Sequence, residues 1–129
     1  MRAVNLFLTE DGVLKLGYYG LTTQAECYSI KKWKCDGVRS FAPEVFKGKY
    51  GMKSDVWSLG TTLLELMCIR PYYWRDNDYL PTMNGCLWLP FHEEDIESAG
   101  LTDFLEKCFM ERVSERWSVN ELMDVSVMG

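Results

Sequence analysis

The sequence lacks the patterns that mark several common classes of small protein. Its five cysteines are odd in number and widely spaced, and no two have C-x-x-C spacing, so neither a disulfide framework nor a zinc ribbon is expected. The most apolar run, residues 59–69, is short and carries Glu65, so no membrane segment is expected. His92 has no cysteine at ligand spacing, and we expect no metal role for it. These absences favour a reducing, cytoplasmic compartment.

Positive charge does not dominate the chain, whose net charge is modest. The chain has 14 Lys and Arg against 19 Asp and Glu, a net charge of -5, which argues against a partner that is nucleic acid. Of its 129 residues 47% are hydrophobic and 14% aromatic, enough for burial to offset chain entropy. The length suits one globular domain.

Short apolar runs and turn residues predict a β-hairpin at the beginning of the chain. The strands are expected at residues 6–8 and 13–16, with Asp11-Gly12 as the turn signal between them. Residues 17–53 show no sustained period and several glycines, so a long irregular segment is expected, with at most a helical turn after Pro43.

Helical patterns dominate the rest of the chain. Ser54 is expected to cap a helix over residues 54–67 that is apolar nearly all round, which is typical of a helix at the centre of a domain. Further helices are predicted at residues 93–98, 101–111 and 118–125. Ser118 and Glu121 have the spacing of a capping box at the beginning of the last helix.

Three stretches, taken together, resemble the C-terminal lobe of a eukaryotic protein kinase domain. They are N-L-F-L at 5–8 with V-L-K-L at 13–16, then A-P-E at 42–44 (Ala42, Pro43, Glu44), then S-D-V-W-S-L-G at 54–60. F-L-E-K-C at 104–108 and the distal Arg116 resemble the last helices of Sterile-type serine/threonine kinases. The resemblance extends over residues 5–123.

The resemblance implies a mainly α fold, α+β by ancestry, and one partial kinase-like domain over residues 1–129. Residues 1–16 would form a catalytic-loop remnant and the hairpin, and residues 17–53 an activation-segment-like region. Residues 54–125 would form the helical part, with about four helices in all.

The resemblance also implies that the catalytic machinery is incomplete. In the family the loop reads His-Arg-Asp, four residues and Asn, with the Asp as base and the Asn on magnesium. Asn5 takes the Asn position and Arg2 that of the loop lysine, while the Asp would precede Met1. The base and the nucleotide-binding lobe are therefore expected to be missing.

The metal-binding triplet Asp-Phe-Gly of the family is replaced by Tyr18, Tyr19 and Gly20. A hard anionic oxygen is needed at this position to bridge magnesium to the nucleotide phosphates, and a phenol with a pKa of about 10 is neutral at pH 7. The nearest acids, Glu10 and Asp11, are expected at the far end of the hairpin. We therefore expect no cofactor for this chain, although ATP and Mg serve the family.

Other matched positions imply structural roles. Glu44 of A-P-E and Arg116 are expected to form the family's buried ion pair. Asp55 matches the helix aspartate that holds the backbone of the catalytic loop, and as an acid in a first helical turn it also suits the helix dipole.

The irregular segment carries candidate phosphorylation sites. Hydroxyl-bearing residues lie where activation-loop phosphorylation occurs in relatives: Thr22, Thr23, Tyr28 and Ser29. Basic residues that could pair with a phosphate follow them: Lys31, Lys32, Lys34 and Arg39. The alternative is a solvated basic loop without a modification.

Three functions remain in competition. The first is a pseudokinase-like fragment, unable to transfer phosphate by itself, that acts as a binding or scaffold element in signalling. The second is a truncated copy of an active serine/threonine kinase, which an in-frame His-Arg-Asp upstream of Met1 would support and a stop codon would oppose. The third is an unrelated small helical adaptor.

A protein partner is expected for the first function. A helix that is apolar all round and lacks one neighbour should leave part of its surface uncovered. The expected patch consists of Trp57, Leu63, Leu64 or Met67.

Overall fold

The computed structural model describes residues 3–17, 41–69 and 91–125. Within them the chain forms four α-helices and one antiparallel two-stranded sheet. The helices are α1, Pro43–Phe46; α2, Met52–Leu66; α3, Ala99–Cys108; and α4, Val119–Met123. The mainly α fold with a small β part is confirmed.

The predicted hairpin forms, preceded by a 3-10 turn at Ala3–Asn5. Strand β1 is Leu6–Leu8 and strand β2 is Leu14–Leu16, and residue 6 pairs with residue 16 across the ladder. Gly12 adopts a φ of 79°, which a side chain would disfavour. The Thr9 hydroxyl accepts a 3.0 Å hydrogen bond from the Val13 N–H and closes the turn.

Helix α2 begins earlier than predicted, because its N-cap is Gly51 and not Ser54. Gly51 has extended backbone, with φ -152°, and Ser54 occupies the third helical position. The Ser54 hydroxyl accepts a hydrogen bond from the Gly51 N–H at 3.1 Å, so it closes the helix end from inside the first turn. The predicted Ser54 cap was therefore wrong by three residues.

The helix predicted at residues 93–98 is also wrong, since only a 3-10 turn forms there, at Glu93–Asp95. Ser98 is the N-cap of α3, and this role requires the extended backbone that it adopts, with φ -92° and ψ 114°. Its hydroxyl accepts a hydrogen bond from the Leu101 N–H at 3.3 Å. A helix through residue 98 would exclude this cap.

The core is built around α2. Trp57 and Leu64 lie in one cluster with Leu105 and Phe109, and the Trp57 and Phe109 rings meet edge to face with centroids 5.1 Å apart. A second cluster joins α2 to α3 and α4; its buried members are Val56, Phe104, Cys108 and Leu122. The central helix therefore packs against elements that precede it as well as elements that follow it.

The expected uncovered patch on α2 is wrong for two of its four residues. Trp57 and Leu64 are both 0% exposed, because α3 and the chain after it cover them. Leu63 and Met67 are half-buried and pack against the core. The exposed apolar side chains of α2 lie at its two ends, at Met52 and Leu66. No helix in the described ranges has both the length and the apolar character needed to cross a membrane.

Candidate functional site

The A-P-E motif places its glutamate inside the domain. Ala42 is completely buried with extended backbone, and Pro43 begins α1, where its fixed φ suits the first turn. Glu44 follows in that first turn and is 8% exposed. A short helix thus directs a carboxylate towards the core.

Arg116 is the partner of this carboxylate, as predicted. Its Nη1 donates to Glu44 Oε1 at 2.6 Å and its Nη2 to Glu44 Oε2 at 3.0 Å, which makes the pair bidentate. Arg116 is 0% exposed. Because a buried charge without its partner is costly, the two residues depend on each other.

The remaining donors of Arg116 bind main-chain carbonyls. Nε donates to Met110 O at 2.9 Å, Nη1 to Lys53 O at 2.9 Å, and Nη2 to Glu111 O at 3.3 Å. With the two bonds to Glu44, all five guanidinium N–H groups are satisfied. The guanidinium carbon also lies 5.2 Å from the Trp57 ring centroid. Arg116 therefore joins α1, α2 and the loop after α3.

Ser54 completes this site. Its hydroxyl donates to Glu44 Oε1 at 2.8 Å while it accepts from Gly51. Burial by itself would raise the pKa of Glu44, but the hydrogen bond and charge of Arg116, a backbone hydrogen bond and the Ser54 hydroxyl outweigh it, so the pKa lies below its usual value. Glu44 is therefore held as a carboxylate, and the arrangement is suited to structural linkage.

Asp55 lies in the first turn of α2, and its side chain is exposed. Its Oδ1 accepts a 2.6 Å hydrogen bond from the Tyr50 hydroxyl. Another acid of α2 contacts the 3-10 turn Ala3–Asn5: Glu65 Oε2 accepts a hydrogen bond from the Ala3 N–H at 2.9 Å. Within the described residues, Glu65 links this turn to α2, and the role expected of Asp55 stays a prediction.

Asn5 lies at the end of the 3-10 turn and is half-buried. Its carbonyl accepts a hydrogen bond from the Gly17 N–H at 2.8 Å. Glu10 and Asp11 lie in the turn at the opposite end of the hairpin, as expected. Across the described ranges, no three His, Cys, Asp or Glu side chains converge as metal ligands.

These donors do not fit magnesium. Asn5 keeps the neutral amide of the family's catalytic-loop position, but the phenol of Tyr18 stands at the position where a carboxylate would be needed to bridge the metal to phosphates.

Several predicted site residues lie outside the described residues. They are Arg2, the triplet Tyr18, Tyr19 and Gly20, and the candidate phosphorylation sites Thr22, Thr23, Tyr28 and Ser29 with the basic residues that follow them. Their assignments stay predictions.

Three hydrogen bonds were not predicted from the sequence: those of Ser54 with Glu44, of Tyr50 with Asp55, and of the Ala3 N–H with Glu65. Glu65 offered a signal, since an acid in an otherwise apolar run needs a buried or half-buried partner. Ser54 offered none, because a serine before an acid is equally typical of a helix cap, and Tyr50 offered none either.

Comparison with known proteins gives a consistent result. The family model described as "Protein kinase domain" matches residues 1–128. The serine/threonine-protein kinase STE20 of Candida glabrata is 33% identical over 96% of this chain, and the serine/threonine-protein kinase pak-1 of Caenorhabditis elegans is 32% identical over 95%. Nek9 of Xenopus laevis, also a serine/threonine-protein kinase, is 26% identical over the whole chain. The chain spans 14%, 22% and 14% of these three relatives, respectively.

Proposed function

Because the chain belongs to the protein kinase domain family, we propose that it is a pseudokinase-like part of a C-terminal lobe that does not transfer phosphate by itself. It would act as a binding or scaffold element in cytoplasmic signalling, through a protein partner that contacts its exposed surface. The relatives are serine/threonine kinases, but the chain spans only a small share of each, so their activity is not carried over.

The main support for this proposal is the residue at position 18, which is Tyr18. It stands where the family needs a carboxylate on magnesium, and a neutral phenol neither bridges the metal to phosphate nor offsets its charge at pH 7. The substitution lies inside the matched region and does not depend on where the chain begins.

The retained contacts support the binding half of the proposal. Glu44, Ser54 and Arg116 form a fully hydrogen-bonded buried network, and such networks make a structure rigid and specific. A family member that keeps its architecture while its metal position changes is suited to recognition.

The alternative is part of an active serine/threonine kinase. The small share of each relative that the chain spans favours it. Sequencing of the transcript upstream of the Met1 codon tests this: an in-frame His-Arg-Asp supports the alternative, and a stop codon opposes it. An unrelated helical adaptor is excluded by the family match.

The test of the main proposal uses the product of the longest transcript that contains these residues. We expect no Mg-dependent rise in melting temperature with ATP and no phosphate transfer. A ligand at 100 times its Kd would add about 2.7 kcal/mol of stability, which a thermal-shift titration detects easily. Tyr18→Asp restores the carboxylate and Tyr19→Asp is its matched control. Saturable Mg-ATP binding with phosphate transfer by the unaltered protein would contradict the proposal.

A further inference from the structure

One long-range hydrogen bond joins the beginning of the described chain to its central helix. The Ala3 N–H donates to Glu65 Oε2 at 2.9 Å, across 62 residues of sequence. Ala3 begins the 3-10 turn Ala3–Asn5, where the first N–H groups have no partner within the turn. This turn packs on α2, and its contact there is among the most extensive between elements of the described chain. Glu65 thus satisfies a donor that the turn itself leaves open.

The turn and the base of the hairpin form one unit. The Gly17 N–H donates to Asn5 O at 2.8 Å, next to the pair of residues 6 and 16. Gly17 lies against the Phe7 ring so closely that a Cβ there would come within 2.7 Å of it. A displacement of Ala3–Asn5 would therefore carry the base of the hairpin with it.

The rest of the hairpin has little apolar burial. Phe7, Leu8 and Leu14 are 58%, 73% and 62% exposed. A two-stranded hairpin is at best marginally stable by itself in water. Its persistence depends on how firmly its base is attached to the helices.

We propose that Glu65 is a positioning residue that attaches the hairpin to α2 through the Ala3 N–H. When this hydrogen bond opens, the hairpin and the 3-10 turn detach and lose their ladder locally, while the helical body stays folded. The proposal does not depend on whether the protein transfers phosphate.

Hydrogen exchange of the 129-residue chain tests the attachment. Ala3→Pro removes the N–H at a first-turn position that tolerates proline, and Ala3→Gly is the matched control that keeps it. The Thr9 and Gly17 amides report on the hairpin, and the Phe109 and Leu122 amides on the helices. In Ala3→Pro we expect about a tenfold loss of protection at the hairpin amides, typical of a hydrogen bond to a charged group, and no change at the helical ones.

A second pair of variants tests the acceptor. Glu65→Leu removes the oxygen and should lose at least as much protection at the hairpin amides as Ala3→Pro, whereas Glu65→Gln keeps an oxygen acceptor and should retain most of the protection. The double variant with Ala3→Pro and Glu65→Leu should lose no more protection than Glu65→Leu alone. Equal exchange in Ala3→Pro and Ala3→Gly, additive losses in the double variant, or equal losses at Phe109 and Leu122 would each overturn the proposal.

Discussion

Glu44 and Arg116 lie 72 residues apart in the sequence and meet through two hydrogen bonds of 2.6 and 3.0 Å inside the domain. The carboxylate comes from the short helix before α2, and the guanidinium from the loop after α3. This pair therefore links the first helix of the described chain to the loop that follows α3. Because both groups are buried and fully hydrogen-bonded, removing either one should strongly lower the free energy of unfolding.

A double-mutant cycle measures this dependence. Glu44→Ala and Arg116→Ala should each lower the free energy of unfolding by about 3–5 kcal/mol, because each leaves a buried charge alone. The double variant should cost much less than their sum. Urea unfolding gives the four values. Arg112 and Glu115 form an exposed pair and serve as the control, with an expected coupling below about 1 kcal/mol. Additive losses at Glu44 and Arg116 would contradict the coupling.

Acid should weaken the protein through the same carboxylate. The pKa of Glu44 is lower in the folded chain than its ordinary value of 4.5, so its contribution is complete above that value and is lost as the pH falls through the folded pKa. We expect the free energy of unfolding to decline below about pH 4.5. Glu44→Gln should have a smaller decline in that range, and Glu115→Gln should behave like the unaltered chain. An identical acid slope in Glu44→Gln would count against this assignment.

The sequence predicted the hairpin, the central helix and the last two helices because their signals are local. Each of these signals lies within one element: Asp11-Gly12 in the turn of the hairpin, the apolar residues in α3, and the pair Ser118 and Glu121 at the beginning of α4. The errors in helix boundaries came at residues that have a role in a second element or contact. Ser98 must cap α3 and so ends the helix expected before it, and Ser54 serves Glu44 from inside α2.

The site was predicted in part. The ion pair of Glu44 and Arg116 came from the resemblance to a family, since nothing in the composition links two residues so far apart. The hydrogen bond between Ala3 and Glu65 could not be predicted in the same way, because its donor is a main-chain N–H and carries no signal of residue type. The burial of Trp57 and Leu64 depended on tertiary packing that an apolar pattern does not specify.

The contact between α2 and the end of α3 depends on a glycine. A Cβ at Gly60 would lie 2.8 Å from Phe109 Cζ and 3.0 Å from Cys108 Cβ. Gly60→Ala should cause strain of about 1–3 kcal/mol, which offsets or exceeds the roughly 1 kcal/mol that alanine gains inside a helix. Gly51→Ala, with no atom within 4 Å of the new Cβ, is the control and should cost less than about 1 kcal/mol. Thermal unfolding compares the two, and a Gly60→Ala chain that is clearly more stable than the unaltered one would contradict the packing.

Two cysteines at the ends of α2 and α3 should differ sharply in reactivity. Burial raises the pKa of the Cys108 thiol to about 12, against the smaller opposing effect of the Arg116 charge, while Cys68 is exposed. Since the thiolate is the nucleophile, only about one Cys108 in 10⁴ would be reactive at pH 8 even with access to reagent. We expect iodoacetamide to modify Cys68 and to spare Cys108 in the folded chain, as measured by peptide mass spectrometry. In urea both should react, which shows that the difference comes from the fold. Rapid modification of Cys108 under native conditions would mean that α3 separates readily from α2, because its Cβ lies in the contact that Gly60 permits.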